Sequence, residues 1–107
     1  NLPENLFVNL MGKSLTLTSA YMKKSNLFIG NDSGLMHLSV ASNLPTITLF
    51  GPTNDKIYGH TKNNCFIIRT KESYDYFNKI NVDPEKSYML SINSDQVIDI
   101  IIRNKLL

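Results

Sequence analysis

LFIGNDSGLMHLSVASNLPTITLFGPTND, residues 27–55, reads as a strand, a tight polar turn, a short helix, a second strand and a Gly-Pro turn. Leu27 to Gly30 is a brief, wholly apolar run of the kind buried on both faces in a parallel sheet. Asn31, Asp32, Ser33 and Gly34 break it, and a helix from about Gly34 to Ser42 follows, with Leu35, Leu38 and Ala41 along one side. Asn43 closes that helix and Pro45 prevents its return. Thr46 to Phe50 is rich in β-branched residues, and Gly51 and Pro52 end it. Strand, helix and strand at this spacing form a βαβ unit. The right-handed crossover rule puts the Asn31 to Gly34 turn at the carboxyl edge of the sheet, where open α/β sheets bind ligands.

Outward from this unit the pattern continues on both sides. Leu6 to Met11 (LFVNLM) is a short apolar run closed by Gly12 and is expected to be a strand. Ser14 or Thr16 can then cap a helix running to about Lys24, with Leu17, Ala20 and Tyr21 facing inward and Asn26 as its stop. Lys23 and Lys24 suit the negative end of its dipole. On the other side, Cys65 to Arg69 is expected to be a fourth strand, and Lys71 to Tyr88 a loop with one helical turn. Asn93 followed by Gln96 resembles a capping box. The helix it opens, to about Lys105, is expected to bury Val97, Ile98, Ile101 and Ile102. The fold expected is α/β and Rossmann-like, with a mostly parallel sheet of about four strands and flanking helices, in a single domain over residues 1–107.

Bulk properties narrow the function classes. The 107 residues, 42% hydrophobic and 19% charged, describe a folded chain rather than a disordered one. A net charge of +2, with scattered lysines, argues against nucleic acid by bulk electrostatics and leaves a small anion open. No apolar run reaches the ~18 residues of a membrane-spanning helix. The single Cys65 cannot form an internal disulfide, and within CFII it reads as a packed strand residue rather than a nucleophile. The start, NLPENL, has neither Met nor a signal sequence and reads as the middle of a longer polypeptide.

Three loops carry the candidate chemistry. In Asn31-Asp32-Ser33-Gly34, the backbone N–H groups of the following helix's first turn carry partial positive charge and can hold a phosphate. Gly34 lets a ligand approach the backbone, the Ser33 hydroxyl can add a hydrogen bond, and His37 projects from the same helix end. The same residues also fit an ordinary N-cap at Asp32 or Ser33 with a surface histidine beyond it. Gly51-Pro52-Thr53 leaves the neighbouring strand at the same edge, as a ligand contact or simply a sharp exit. Lys13, after Gly12, reaches toward a phosphate, packs its stem against a base or stays solvated. His60 reads as a loop residue. The two histidines and one cysteine lack metal-ligand spacing, so no metal site is expected. Phosphate-loop and dinucleotide fingerprints are missing, and Ser33 and His37 sit too close on one helix to be a nucleophile and its base.

The order of these motifs is a known one. NLMGKSLTL followed by FIGNDSGLMHLSVASNLPTITLFGPTND resembles the C-terminal domain of the heptosyltransferase family, glycosyltransferase family 9, whose members transfer heptose from ADP-heptose to the lipopolysaccharide inner core of bacteria. The match runs from Asn9 to Asp55, with Ser33 at the family's Thr/Ser position, and Leu90 to Leu107 resembles the family's closing helix.

The resemblance implies part of the C-terminal domain of a GT-B enzyme, with the nucleotide sugar on this domain and the acceptor on an N-terminal one. It implies an inverting transfer that uses no metal and no cofactor, with ADP-heptose or a similar nucleoside-diphosphate sugar as donor. Ser33, Gly34 and His37 would meet the diphosphate, and His37 would stabilise the leaving group. Asp32 suits a turn bond or a donor-sugar hydroxyl. The Gly12 to Ser14 loop, with Lys13, would abut the base, and Gly51, Pro52 and Thr53 would close the other side. The family's acceptor-activating carboxylate and a diphosphate-contacting lysine lie in regions that these residues do not match, so no catalytic residue is assigned and the chain alone is expected to be inactive. The expected setting is cytoplasmic, at the inner face of the bacterial inner membrane, and the expected partner is the missing acceptor domain. Two rival readings follow from the residues. A non-catalytic interaction module could bind another chain, or a second copy, through a bare sheet edge near Leu6 to Leu10. A response-regulator-like or nucleotide-sensing domain would want clustered carboxylates, for which only Asp32 and Asp55 qualify.

Overall fold

Three strands, β1 (Phe28–Asn31), β2 (Thr46–Phe50) and β3 (Cys65–Arg69), pair in parallel in the order β1-β2-β3 among the described residues. The computed structural model describes residues 3–55, 59, 64–83 and 85–107, and the loop assignment made for His60 lies outside them. Helices α1 (Leu15–Lys23), α2 (Gly34–Ala41), α3 (Tyr74–Asn78) and α4 (Ser94–Arg103) flank the sheet. The fold is thus α/β with a parallel sheet, one strand short of the number expected.

The difference lies at Leu6 to Met11, which does not form a strand. Glu4–Leu6 is a single 3-10 turn, and the residues after it use their backbone groups locally. The Asn9 Oδ1 accepts the Met11 N–H at 2.9 Å, and the Lys13 N–H donates to the Leu10 carbonyl at 3.0 Å. Leu6 and Val8 stay 66% and 60% exposed. An apolar run becomes a strand only where a neighbour offers a ladder, and here Asn9 offers its backbone a turn instead.

β2 is the strand buried on both faces, with Thr46, Ile47, Thr48 and Phe50 all buried. β1, expected to be buried on both faces, is an edge strand, and Ile29 is 46% exposed. Phe28, Thr46 and Cys65 share one row of the register. Phe28 and Cys65 pack on the cluster of Met36, Val40 and Phe50, so Cys65 is the packed strand residue expected.

The helices appear where the caps put them, but with different faces inward. Ser14, not Thr16, caps α1 by accepting the Leu17 N–H at 3.1 Å. Met22 is its buried residue, whereas Leu17, Ala20 and Tyr21 are exposed. In α2 the buried residues are Met36, Ser39 and Val40, one step round from the expected Leu35, Leu38 and Ala41. Because α2 is apolar nearly all round, composition does not set its rotation; packing against Phe50 and a Ser39–Thr46 hydroxyl contact do. Asn43, at φ +58°, ends α2 in the left-handed conformation common just past a helix.

Beyond the sheet, Ser73 caps the short α3, whose buried Phe77 meets Tyr76 and Tyr88 edge to face. α4 opens with both hydrogen bonds of the Asn93–Gln96 capping box and packs against β3. Val97 and Ile101 are half-buried, but Ile98 and Ile102 are exposed, contrary to expectation, because the edge of a three-stranded sheet covers only a narrow strip of the helix. No helix among the described residues is long and apolar enough to cross a membrane.

Candidate functional site

The carboxyl edge of the sheet holds two loops side by side, because β1 and β2 are parallel neighbours and both end there. After β1, Ser33 takes extended backbone angles at the N-cap of α2 and its hydroxyl makes no capping hydrogen bond. Its carbonyl accepts the Met36 and His37 N–H groups at 3.1 and 3.3 Å, which starts the helix. The first turn therefore presents its backbone N–H end and the Ser33 hydroxyl outward. A Cβ placed on Gly34 would meet no atom within 4 Å, so the space over that turn is open.

A cavity of about 360 Å³ occupies this corner, lined by Asp32, Ser33, Gly34 and His37 from one loop and helix and by Thr53 from the other loop. A second hollow of about 600 Å³ shares Ser33, Gly34 and His37 and is completed by Leu15, Leu35 and Leu38. The corner thus has a polar half and an apolar half that meet at Gly34 and His37. The positive end of the α2 dipole lies at the meeting point and favours an anion there. Of the residues singled out in the sequence, five line the polar cavity. Gly51, Pro52 and Lys13 line neither hollow: Gly51 is buried behind the corner, against Met89 and Thr70, and Lys13 lies exposed in the turn before Ser14.

One residue that the sequence reading passed over organises the Thr53 side. Arg69, the last residue of β3, sits beside Phe50 in the register and turns its side chain onto the loop that follows Phe50. Its Nη1 donates to the Thr53 carbonyl at 3.0 Å and pairs with the Asp55 carboxylate at 2.7 Å. Its Nη2 donates to the Gly51 carbonyl, and its Nε to the Glu72 carbonyl at 3.4 Å. With the Arg69 side chain only 17% exposed, these contacts are largely sheltered from water. The visible signal was one arginine at the end of the apolar run CFII; its register with Phe50 was not visible.

Comparison with known proteins gives the site a context. A family model described as glycosyltransferase family 9 (heptosyltransferase) matches residues 1–89. Lipooligosaccharide heptosyltransferase 2 of Haemophilus influenzae is 39% identical to this chain over 75 residues, covering 66% of the chain. The chain spans 22% of the length of that relative. No solved structure matches it significantly.

Proposed function

The chain belongs to glycosyltransferase family 9, the heptosyltransferases, and on that premise we propose that its corner binds the donor, a nucleoside-diphosphate sugar such as ADP-heptose. The observation that carries this reading is the meeting of Asp32, Ser33, Gly34, His37 and Thr53 around one cavity at the N-terminus of α2. A diphosphate fits that setting, since backbone N–H groups, a hydroxyl and the helix dipole all favour an anion of its shape. The apolar hollow of Leu15, Leu35 and Leu38 is the natural seat for the flat face of the base. Lys13 lies two residues before Leu15 in the chain, and Gly51 and Pro52 lead into Thr53.

In the proposed reaction an acceptor hydroxyl oxygen attacks the anomeric carbon, its proton passes to a base outside these residues, and the bond from that carbon to the diphosphate oxygen breaks. Negative charge then develops on the leaving nucleoside diphosphate. The α2 dipole and an N–H of the His37 imidazole stabilise that charge as it forms. Asp32, itself an anion, is better matched to a sugar hydroxyl than to phosphate. A lipopolysaccharide-type acceptor completes the proposal.

Titration of the chain with ADP tests the reading. Binding at millimolar concentration or below is expected, and His37→Ala should weaken it about tenfold, the worth of one hydrogen bond to a charged group. A flat titration at millimolar ADP, or affinity unchanged by His37→Ala, would reject it.

A further inference from the structure

We propose that Arg69 is the positioning residue of this site: by clamping the Gly51–Asp55 loop it holds Thr53 against the cavity formed by Asp32, Ser33, Gly34 and His37. The guanidinium reaches three backbone carbonyls, those of Gly51, Thr53 and Glu72, and one carboxylate, that of Asp55. Gly51 and Thr53 lie in the exit loop after β2 and Asp55, already helical, stands at its end; a loop of that kind has no ladder of its own to fix it. A planar fork with five donors can bind several acceptors at once in a fixed arrangement, which a lysine ammonium cannot reproduce. Asp55 holds the fork in place, so the pair works as a unit. Arg69 lines neither hollow of the corner but a separate cavity of about 220 Å³ beside Asn54 and Asp55, so its reach to the corner runs through the Thr53 loop. The effect on nucleotide affinity rests on the function proposed above, whereas the effect on the loop does not.

The experiment uses Arg69→Met, Arg69→Lys and Asp55→Asn, each with a thermal melt, and all titrations run well below the lowest midpoint. In ligand-free ¹H–¹⁵N spectra, Arg69→Met should displace the amide resonances of Thr53 and Asn54 and, across the cavity, those of Ser33 and Gly34. Asp55→Asn should displace the same set by less, and it carries this arm if Arg69→Met does not fold. Affinity for ADP should fall about tenfold in Arg69→Met and by an intermediate factor in Arg69→Lys, a coupling ordinary for groups in one hydrogen-bonded network. In a Thr53→Ala background, Arg69→Met should change affinity by less than about twofold, because the residue it positions is already gone. Unmoved Thr53 and Ser33 resonances would overturn the proposal, as would an equal loss of affinity with and without Thr53. If the unaltered chain gives a flat ADP titration, the nucleotide reading fails, and the ligand-free spectra still decide whether Arg69 positions the loop.

Discussion

The Ser39 Oγ lies 2.9 Å from the Thr46 Oγ1, with both residues fully buried, and this contact ties the C-terminal half of α2 to the first residue of β2. Ser39 also reaches the Met36 carbonyl at 2.7 Å and Thr46 the Leu44 carbonyl at 2.8 Å. Two hydroxyl protons thus serve three contacts, and each residue keeps a backbone acceptor if the other is lost.

That arrangement predicts a moderate, non-additive cost. Ser39→Ala and Thr46→Val should each lower unfolding free energy by about 1 kcal/mol in urea titrations, the net worth of a buried hydrogen bond. The double variant should lose less than the sum, because the hydroxyl–hydroxyl contact is lost in either single variant and is therefore counted twice in that sum. Strict additivity would show that the contact carries no coupling.

Gly51 sets a second prediction, through Met89. A Cβ at Gly51 would come within 2.5 Å of the Met89 Sδ, so the thioether must move for any side chain to fit. Gly51→Ala should cost about 1 kcal/mol, the low end of the overpacking range, because the thioether belongs to a flexible, partly exposed side chain that can swing aside. Met89→Ala in the same chain should recover part of that loss, so that the double variant is more stable than the two single costs predict. Chemical denaturation of the four chains gives the result directly.

At Asn43 the backbone itself is the test. Its φ of +58° is comfortable for glycine and tolerable for asparagine. Asn43→Gly should therefore leave stability within a few tenths of a kcal/mol, while Asn43→Ala should lose about 1 kcal/mol, read from the urea midpoint. Equal effects from both would mean that the side chain, not the turn, matters here.

The boundaries of α2 and β2 and the start of α4 were legible in the sequence because each has a local cause: Pro45 and Gly51-Pro52 as breaks, and Asn93 with Gln96 as a capping box; β3 was legible from its apolar run CFII. Helix rotation was not legible. Leu35 and Met36 are equally apolar, and what turns Met36 inward is a hydroxyl contact between residues seven apart, invisible to a hydrophobic pattern. Leu6 to Met11 misled for the opposite reason, since its composition fits a strand while pairing depends on a neighbour that composition does not describe. In the site, Asp32, Ser33, Gly34 and His37 could be read together because they are adjacent in sequence. Arg69 lies 14 residues from Asp55, and only the β2–β3 register brings them together.

Gly34→Ala separates binding from stability at the corner. The added methyl meets nothing within 4 Å, and Gly34 has no positive φ to defend, so the fold has no reason to resist it. Alanine is also the better helix former, which predicts a melting point unchanged or raised, by up to about 1 kcal/mol of stability. The space that methyl enters is the open ground over the first turn of α2, bordering both hollows. If a diphosphate approaches the backbone N–H groups there, the methyl blocks its closest approach and ADP affinity should fall by about tenfold or more. A destabilised chain would contradict the packing described at Gly34, and a stable chain with unaltered ADP affinity would move the ligand away from that turn. Loss of binding in a chain that melts no earlier than the original is the outcome that ties the anion to the N-terminus of α2.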